Sequence, residues 1–574
     1  MGETQTLPSN RQPLAHATEA SPTPGSQPPY EQWLRDLLTR WREIGSKTAL
    51  QMTEQGRVNA FSYDDLLDLS RSLAVSWTLN PQFPARIAIL SESRPEWIVA
   101  LIAAFRAGVT LVALDPQLKD GELAQLISQS QVDAVLVSRL HAHRLRGSAA
   151  AVWDLEGVVA QERAAPQSSH HLLPSNLDKP LITIYGSGTT GRSRAIMISA
   201  RNLLFEAAAN AERVGVVSSD RVLSILPINH LYELSAGTLT PLYMGGTVIY
   251  ANTLMPHEIA AFIRDQSITM MAAVPLFLKA MKRSIELSFN KLPKFKRRQL
   301  DLLMWAAPFM SIEWRRRLIP VRRNIGEHLR LFISGGAPLP VNLQDFYSRI
   351  GIPVLQGYGL SEASPVVACT SVDDNRKGSC GKPLRGTEIK IVGPDEAGIG
   401  VIHVRGPQVM LGFWNNIPDT EAVLGKDGWL DTGDLGYLDR DGFLFVTGRS
   451  RNLVVLGAGK KVYPEEVEAM LTELASSPSY PLLKELCVTS VKSGDWDEVA
   501  LVGVPSDELN QESGGNSDLM KATLTLQIEH LLATVADYKH PRRILLSSTP
   551  LPKTSTHKIK LVELAELIRA GSIH

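Results

Sequence analysis

The chain has 574 residues, of which 44% are hydrophobic and 21% are charged, and its 59 Lys and Arg residues balance its 59 Asp and Glu residues. This length exceeds one ordinary compact domain, and the composition is that of a globular protein. The balanced charge gives no reason to expect a nucleic acid or a strongly acidic partner, so local charge has to be considered instead.

The three cysteines, Cys369, Cys380 and Cys487, are widely spaced and form no CxxC or Cys/His cluster. This excludes a disulfide framework and a structural zinc site, and it is typical of a reducing compartment. No apolar stretch reaches the roughly 20 residues needed to cross a bilayer. The N-terminus also lacks the basic and apolar regions of a signal peptide. We therefore expect a cytoplasmic protein.

Residues 1–29 are rich in Pro, Ser, Thr and Gln and are predicted to form a disordered tail, because they cannot bury enough apolar surface to offset the entropy of ordering. From Tyr30 onward, strand-like and helix-like patterns alternate. Short apolar strands are predicted at 86–90, 109–114, 134–137, 182–185, 246–250 and 329–333, and a helix closed by a glycine at 96–108. This alternation predicts an α/β fold with mostly parallel sheets.

A glycine-rich loop at 186–191, with the sequence Gly-Ser-Gly-Thr-Thr-Gly, follows the strand predicted at 182–185. Its glycines allow several backbone N–H groups to converge on one point. Three hydroxyls and two positive charges add further donors: Ser187, Thr189, Thr190, Arg192 and Arg194. Such a set of donors suits a polyphosphate.

The same loop also matches the spacing of a P-loop, with Arg192 in place of the usual lysine. A P-loop opens a helix, whereas the segment 195–198 is apolar and β-branched, which favours a strand–loop–strand arrangement. The loop alone leaves both functions open.

A basic segment lies at 282–323, where twelve Lys and Arg residues face three acidic ones. Large apolar residues, among them Phe295, Trp305, Phe309 and Trp314, are interleaved with these charges. Two interpretations stay open. The segment is either a surface that contacts an anionic membrane or an acidic carrier protein, or a set of helices with a buried apolar face and solvated charges.

Six motifs downstream of the loop decide the chemistry. They are Leu-Pro-Ile-Asn-His at 226–230, Gly-Tyr-Gly-Leu-Ser-Glu at 357–362, Trp-Leu-Asp-Thr-Gly-Asp at 429–434, Gly-Arg at 448–449, Gly-Lys-Lys-Val-Tyr-Pro-Glu-Glu at 459–466 and Pro-Lys-Thr-Ser-Thr-His-Lys at 552–558. In this order and at this spacing, from about residue 30 to the C-terminus, the chain resembles the adenylate-forming (AMP-binding) superfamily. That superfamily includes acyl-CoA synthetases, carrier-protein ligases, peptide-synthetase adenylation domains and luciferases.

The resemblance implies a large N-terminal adenylation domain at 30–448, built of stacked, mostly parallel sheets flanked by helices. It implies a small, mobile α+β domain at 449–574. ATP and Mg²⁺ are the implied cofactors, with Glu362 and Thr189 as metal ligands.

The resemblance also implies a set of nucleotide-binding residues, with Tyr358 against the adenine and Asp434 on the ribose diol. They are Ser187, Gly188, Thr189, Thr190, Gly191, Arg194, Gly336, Ala337, Gly357, Tyr358, Gly359, Ser361, Asp434, Arg449 and Lys558. Seen alone, the Tyr358 segment and the Thr-Gly-Asp434 segment would each be predicted to form a turn.

Four residues are implied to be catalytic: Lys558, Glu362, His230 and Arg449. Lys558 is expected to offset the charge that builds up when a carboxylate attacks the α-phosphate of ATP, and a thiol then attacks the acyl-AMP. His230 is implied to lie between the acyl site and the thiol tunnel. Arg451 is implied as the hinge of the C-terminal domain, with Gly457 and Gly459 on the loop that faces the thiol.

Several positions depart from the family pattern. The loop continues as Ser193-Arg194-Ala195 rather than Pro-Lys-Gly, and the usual His that follows is Ala200. The glycine before the catalytic lysine is His557, and the hinge is Arg451 rather than Asp or Lys. None of these changes removes a charge that adenylation requires.

The favoured substrate is a medium- to long-chain fatty acid. Leu231 stands where amino-acid-activating enzymes have an Asp, while the segments 230–233 and 334–339 and the basic insertion look like those of fatty acyl ligases. Coenzyme A is the favoured acceptor, and the phosphopantetheine of an acyl carrier protein is the alternative. A third outcome is a ligase that stops at acyl-AMP and hands it over to a dedicated synthase. Two other functions stay open: a catalytically weak acyl-nucleotide-binding regulatory protein and a P-loop phosphotransferase.

Overall fold

The computed structural model describes residues 30–54, 56–164, 176–186, 194–319, 325–456, 460–475, 482–493, 496–553 and 559–574. The predicted tail at 1–29 lies outside these ranges. None of the described helices is long and apolar enough to cross a membrane.

The strands are, in chain order, β1 Thr48–Glu54, β2 Arg57–Ser62, β3 Arg86–Leu90, β4 Thr110–Leu114, β5 Ala134–Val137, β6 Ala151–Asp154, β7 Pro180–Gly186, β8 Arg194–Ser199, β9 Arg221–Ser224, β10 Thr247–Tyr250, β11 Met270–Ala273, β12 Leu331–Ser334, β13 Val354–Gly359, β14 Val366–Cys369, β15 Lys382–Pro383, β16 Glu388–Val392, β17 Gly400–Arg405, β18 Gly412–Phe413, β19 Leu430–Leu438, β20 Leu444–Arg449, β21 Val454–Val455, β22 Lys461–Val462, β23 Leu483–Ser493, β24 Trp496–Pro505 and β25 Arg543–Leu546.

The α-helices are α1 Tyr30–Glu43, α2 Tyr63–Leu79, α3 Pro95–Ala107, α4 Asp120–Gln129, α5 Leu155–Ala164, α6 Ala200–Val214, α7 Thr240–Met244, α8 Pro256–Asp265, α9 Pro275–Asn290, α10 Lys294–Ala306, α11 Ile312–Leu318, α12 Val341–Arg349, α13 Ile417–Val423, α14 Pro464–Leu471, α15 Asp507–Glu512, α16 Ser517–Leu531 and α17 Leu561–Arg569. A π-helical segment at Glu233–Leu239 precedes α7.

Two large sheets organise the chain up to α13. One has nine strands in the order β15-β14-β13-β12-β11-β9-β10-β1-β2, and the other has seven in the order β18-β8-β7-β4-β3-β5-β6. Their central strands pair in parallel, and antiparallel pairs occur towards the edges. The predicted α/β fold with mostly parallel sheets is confirmed.

A hydrophobic core joins the two large sheets. One buried cluster contains Ile87 and Leu111 from the seven-stranded sheet together with Val248 and Leu331 from the nine-stranded sheet. Helix α3 contributes Trp97, which is 1% exposed, and almost all of its other apolar side chains are buried as well. A helix that is apolar on every side needs such a position inside a large protein.

The predicted strands lie within three residues of their observed ends, because runs of β-branched and other apolar residues mark buried strands. The predicted helix 96–108 is α3, and Gly108 follows it with φ 69° as a left-handed cap. Where β8 ends, the Ser199 hydroxyl accepts a hydrogen bond from the Asn202 N–H, which starts α6 at once.

Two smaller units follow the large sheets. The strands β16, β17, β19 and β20 form an antiparallel sheet in that order, and β23, β24 and β25 form another. Residues from Val454 onward have hydrophobic clusters of their own, centred on side chains such as Val467, Leu501 and Leu524. The boundary between 448 and 449 falls at the end of β20 and stays a prediction.

Candidate active site

A row of three side chains joins the nine-stranded sheet to the four-stranded sheet. Tyr358 on β13 donates a hydrogen bond from its hydroxyl to Asp434 Oδ2 at 2.8 Å, and Asp434 Oδ1 lies 3.1 Å from Arg449 Nε. Asp434 and Arg449 are directly opposite each other in the pairing of β19 with β20. The Asp434 carboxylate therefore has a fixed position, and it keeps lone pairs that can accept hydrogen bonds from a diol.

The Tyr358 hydroxyl is a secure donor in this row. Burial, followed by the neighbouring Asp434 carboxylate, raises the pKa of Tyr358 well above its usual value, so the phenol stays protonated. Both Tyr358 and Asp434 lie in strands, which corrects the expectation that each belongs to a turn. Their partners come from distant parts of the chain, and the strand pairing that results overrides the turn tendency of the local Gly and Thr residues.

Glu362 lies just after β13, in the short 3₁₀ turn Ser361–Ala363. Burial raises the pKa of its carboxyl group, and the charges of Arg449 and Arg194 act against that rise. Its backbone carbonyl accepts a hydrogen bond from the Met410 N–H at 2.9 Å, which fixes the turn. Within the described ranges, its carboxyl group forms no ion pair.

Arg194, Arg449 and Arg451 are close enough to influence one another and the two carboxyl groups. Burial lowers the pKa of Arg451, the neighbouring Arg449 and Arg194 lower it further, and Asp434 opposes them. Arg194 Nε lies 3.5 Å from Asp419 Oδ2, and its guanidinium stacks 5.2 Å from the Phe413 ring centre. Three guanidinium groups that repel one another form a site that a polyanion would stabilise.

Gly357 and Gly359 allow close backbone packing beside the carboxyl and guanidinium groups. A Cβ atom on Gly359 would lie 1.7 Å from the Pro365 carbonyl oxygen, so no other residue fits there. Gly336 and Ala337 follow the end of β12, the neighbour of β13. The predicted residues Gly336, Ala337, Gly357, Gly359 and Ser361 are therefore at or just after the ends of adjacent strands.

His230 lies in a second cluster, three residues before the π-helical segment. Its backbone N–H donates to the Pro227 carbonyl at 3.1 Å, and its carbonyl accepts from Leu234 at 3.0 Å. The Tyr232 hydroxyl donates to the Ile333 carbonyl at 3.0 Å, and a Cβ atom on Gly335 would meet the Tyr232 ring at 3.0 Å. Tyr232 thus ties the His230 segment to the loop that carries Gly336. π-Helical turns are frequent at functional sites.

Several predicted residues lie outside the described ranges: Ser187, Gly188, Thr189, Thr190, Gly191, Gly457, Gly459 and Lys558. Their flanking elements are described. Strands β7 and β8 pair antiparallel on either side of the glycine-rich loop, with Gly186 opposite Arg194. The strand–loop–strand prediction is confirmed, and the P-loop interpretation is wrong because a P-loop leads into a helix. Lys553 and Ile559 form an antiparallel bridge around the segment that ends in Lys558.

The sequence motifs did not single out two supporting residues, Thr432 and Glu465. The Thr432 hydroxyl accepts from the Asp434 N–H at 3.1 Å and donates to the Ile402 carbonyl at 2.7 Å. Glu465 Oε1 accepts from Asn452 Nδ2 at 2.6 Å, and a Cβ atom on Gly448 would lie 2.6 Å from Glu465 Oε2. Thr432 lies in the motif at 429–434 and Glu465 in the motif at 459–466, and this was the sequence signal that could have identified them.

Comparison with known proteins shows the family of the chain. Residues 39–414 match the model of a family described as AMP-binding enzyme. The chain belongs to this family. A 2-succinylbenzoate–CoA ligase from Bacillus licheniformis is 31% identical over 422 residues, which cover 72% of this chain and 77% of that protein. A feruloyl-CoA synthase from Amycolatopsis is 28% identical over 482 residues, covering 83% and 87% of the two chains.

A solved structure of the O-succinylbenzoate coenzyme A synthetase from Bacillus subtilis, in complex with ATP and magnesium ion, has the same fold. Its TM-score is 0.71 at 24% identity, with 92% of this chain and 99% of that chain covered. Enzymes of the AMP-binding family use ATP with Mg²⁺, and these are the cofactors of this chain.

The described residues fit these cofactors. No group of three or more His, Cys, Asp or Glu side chains within the described ranges can hold a metal ion. Mg²⁺ usually takes one or two carboxylates and completes its shell with substrate phosphates and water. Glu362 could be such a ligand. A divalent cation beside it would favour the ionised carboxylate, which burial disfavours.

Proposed function

We propose that the chain is an AMP-forming acid–CoA ligase. An oxygen of the substrate carboxylate attacks the α-phosphorus of ATP, the bond to pyrophosphate breaks, and acyl-AMP forms. The thiol of coenzyme A then gives up its proton and attacks the acyl carbon, and AMP leaves. The relatives reported above are acid–CoA ligases by name, which supports this reaction and coenzyme A as the acceptor.

The observation that carries the proposal is the row Tyr358–Asp434–Arg449 beside Glu362. We assign Asp434 to the ribose diol, because its carboxylate is fixed by two partners and still has free lone pairs. Arg194 and Arg449 are assigned to phosphate oxygens, and Glu362 to Mg²⁺. Preorganised charges of this kind stabilise the transition state without rearranging during the reaction.

The remaining roles rest on the sequence. Lys558 is assigned to the α-phosphate and the attacking carboxylate, and the glycine-rich loop to the β- and γ-phosphates. We propose that the domain at 449–574 turns about Arg451 between the two half-reactions. This rotation would move Lys558 out of the active site and bring in the loop that carries Gly457 and Gly459.

The acid is proposed to be apolar. Leu231, which is 2% exposed, supplies no carboxylate for a substrate ammonium group, so amino acids are disfavoured. The sequence favours a medium- to long-chain fatty acid, whereas the named relatives act on succinylbenzoate and ferulate, as their names state. Tyr232, next to His230, bridges the ends of β11 and β12 through its hydroxyl. Aromatic and fatty acids are therefore the two classes to compare.

An acyl carrier protein is the alternative acceptor, and a catalytically weak acyl-nucleotide-binding protein is the alternative of another class. A cytoplasmic location is proposed because Cys369, Cys380 and Cys487 are free and buried, which is typical of a reducing compartment.

The decisive experiment identifies the nucleotide product with each acid in turn, from C6 to C18 fatty acids and from succinylbenzoate, ferulate and indoleacetate. We expect AMP and pyrophosphate with at least one acid, and coenzyme A thioester when coenzyme A is added. Lys558→Ala should lower the adenylation rate about 10³-fold or more, because it removes the charge that stabilises the α-phosphate.

Thioester formation from supplied acyl-AMP should persist in Lys558→Ala. Lys560→Ala is the matched control, since Lys560 is nearby and pairs in solvent with Glu563 at 3.4 Å. ATP binding without pyrophosphate release for any acid would contradict the ligase and support the regulatory alternative.

A further inference from the structure

Helices α10 and α11 and the turn between them carry a strip of exposed, large apolar side chains bordered by positive charge. The strip, here called the aromatic–basic surface, comprises Phe295, Leu302, Trp305, Phe309 and Trp314 with Lys294 and Arg298 at its border. The exposed fractions of its apolar members are 70% for Phe295, 64% for Leu302, 68% for Trp305, 85% for Phe309 and 55% for Trp314. The sequence alone left open whether these side chains are buried, and the structure shows that they are exposed.

Helix α10 has two apolar faces, and only one of them packs against the protein. Leu300, Leu303 and Met304 contact the cluster formed by β11, β12 and the surrounding helices, and Ala307 just after the helix is buried there too. The exposed members of α10 and the following turn are seven, three and four residues apart, so they line the opposite side of the helix. A helix that only covered the core would need the first face alone.

Two of the aromatic members, Trp305 and Phe309, lie next to each other. Their ring centres are 6.3 Å apart, and the Arg317 guanidinium lies 5.9 Å from the Trp314 ring centre. Five large apolar side chains exposed on one short stretch of chain are uncommon on a protein without a partner.

The positive charge around the strip is not neutralised locally. Across 282–319, as far as the structure describes the acidic side chains, one ion pair occurs, between Lys282 and Glu286 at 2.8 Å. Between positions 291 and 298, all five basic residues are exposed and have no acidic partner among the described residues: Lys291, Lys294, Lys296, Arg297 and Arg298. This local excess contrasts with the balanced charge of the whole chain.

We propose that the aromatic–basic surface binds an anionic lipid bilayer. Trp and Phe side chains favour the interface between lipid head groups and acyl chains, and clustered Lys and Arg are attracted to anionic head groups. Trp305 and Phe309 would enter the interface, while Lys294 and Arg298 contact the head groups. The contact is peripheral, and it does not depend on the ligase activity proposed above.

The test is co-sedimentation of the full chain with vesicles of equimolar phosphatidylserine and phosphatidylcholine, compared with vesicles of phosphatidylcholine alone. We expect binding to the anionic vesicles, and at least about tenfold weaker binding when salt shortens the Debye length from about 10 Å to about 3 Å. Quenching of tryptophan fluorescence by lipids brominated on the acyl chains should be reduced in Trp305→Phe.

Two variants separate the contributions of the rings and the charges. Trp305→Ala with Phe309→Ala removes the two rings, and Lys294→Gln with Arg298→Gln removes two charges. Each pair should weaken binding about tenfold, since interfacial affinity follows both apolar area and charge. The matched controls are Leu79→Ala with Leu526→Ala, at sites that are 74% and 67% exposed, and Lys426→Gln with Arg440→Gln. Neither control should change binding.

Three results would overturn the proposal. The first is absence of vesicle binding at low salt, and the second is equal binding to vesicles without phosphatidylserine. The third is a change of oligomeric state or loss of binding to an acidic carrier protein in Trp305→Ala with Phe309→Ala, with vesicle binding unaltered. That outcome would assign the surface to a second copy or to the carrier protein. Ligase activity measured without vesicles tests the proposed function separately.

Discussion

Two regions of the molecule are rich in arginine, and they use it in opposite ways. Around Asp434 and Glu362, three guanidinium groups from different elements converge where carboxyl groups are already buried. On the aromatic–basic surface, Lys294 and Arg298 are exposed and form no ion pair among the described residues, and the nearby Arg317 faces the Trp314 ring. The first arrangement suits one small polyanion, and the second suits an extended anionic partner.

The function of a charged region therefore depends less on the number of charges than on the partner and the exposure of each charge. A charge that is buried and paired has a defined position and a high cost of disruption. A charge that is exposed and unpaired is screened by salt and tolerates replacement. The next three predictions concern single residues that differ in burial and in pairing.

The largest effect is expected where a buried, paired carboxylate is removed. Asp434→Ala leaves the Tyr358 hydroxyl and the Arg449 guanidinium without their shared acceptor, and it removes the group assigned to the ribose diol. We expect kcat/KM for ATP to fall about 10²- to 10³-fold, which is about 3–4 kcal/mol of transition-state stabilisation. Steady-state kinetics with varied ATP and saturating acid measures this loss.

Asp434→Asn keeps the packing and one acceptor oxygen, so it should fall between Asp434→Ala and the unmodified chain. Asp431→Ala is the matched control on the same strand, because the Asp431 side chain is 44% exposed and serves only a local turn and a weak contact with His403. If Asp434→Ala leaves the KM for ATP unchanged, Asp434 does not contact the nucleotide.

A second change concerns a carboxyl group that is buried without a cation. Glu206 on α6 accepts hydrogen bonds from the Val366 N–H at 2.8 Å and from Asn210 Nδ2 at 2.9 Å. Burial raises the pKa of Glu206 to about 8. The folded state therefore holds a proton that the unfolded chain releases above about pH 4.5, and stability falls as the pH rises from that value towards 8.

Glu206→Gln keeps the acceptor oxygen and stays neutral, so its stability should lack the pH dependence that Glu206 causes. Between pH 5 and pH 9, its free energy of unfolding should gain about 4 kcal/mol relative to the unmodified chain. Denaturant unfolding at both pH values measures the change, with Glu212→Gln on the exposed face of the same helix as the control. An equal pH dependence for Glu206→Gln and the unmodified chain would show that Glu206 is ionised in the fold.

The sequence predicted those features that depend on local pattern. Buried strands such as β3 and β5 were located to the residue, because their apolar runs have no other explanation in an α/β chain. The motifs also named Glu362, Asp434 and Arg449, which the structure brings close together. The sequence could not place Tyr358 and Asp434 in strands, because their hydrogen-bonding partners lie far along the chain.

Burial was the property that the sequence could not supply. Glu206 lies in an amphipathic helix, where a Glu is normally exposed, and the packing of α6 against the rest of the protein, including β14, buries it. Conversely, Trp305 and Phe309 have the same helical spacing as core residues, and only the structure shows that the core takes the other face of α10. Periodicity identifies a face of a helix without identifying what covers it.

The smallest effect is expected for an arginine that is paired but exposed. Arg405 forms a double contact with Glu388, with Nε at 3.0 Å and Nη2 at 2.6 Å, and its guanidinium lies 4.8 Å from the Trp429 ring centre. The Arg405 side chain is 41% exposed, so water and salt screen the pair. Arg405→Ala should therefore change the free energy of unfolding only slightly and leave the KM for ATP unchanged. Denaturant unfolding at low and high salt measures this change, with Glu388→Ala and the double variant completing a mutant cycle. A coupling energy that stays the same at high salt would mean that pairing outweighs exposure, and the contrast between the two arginine-rich regions would then have to be drawn on pairing alone.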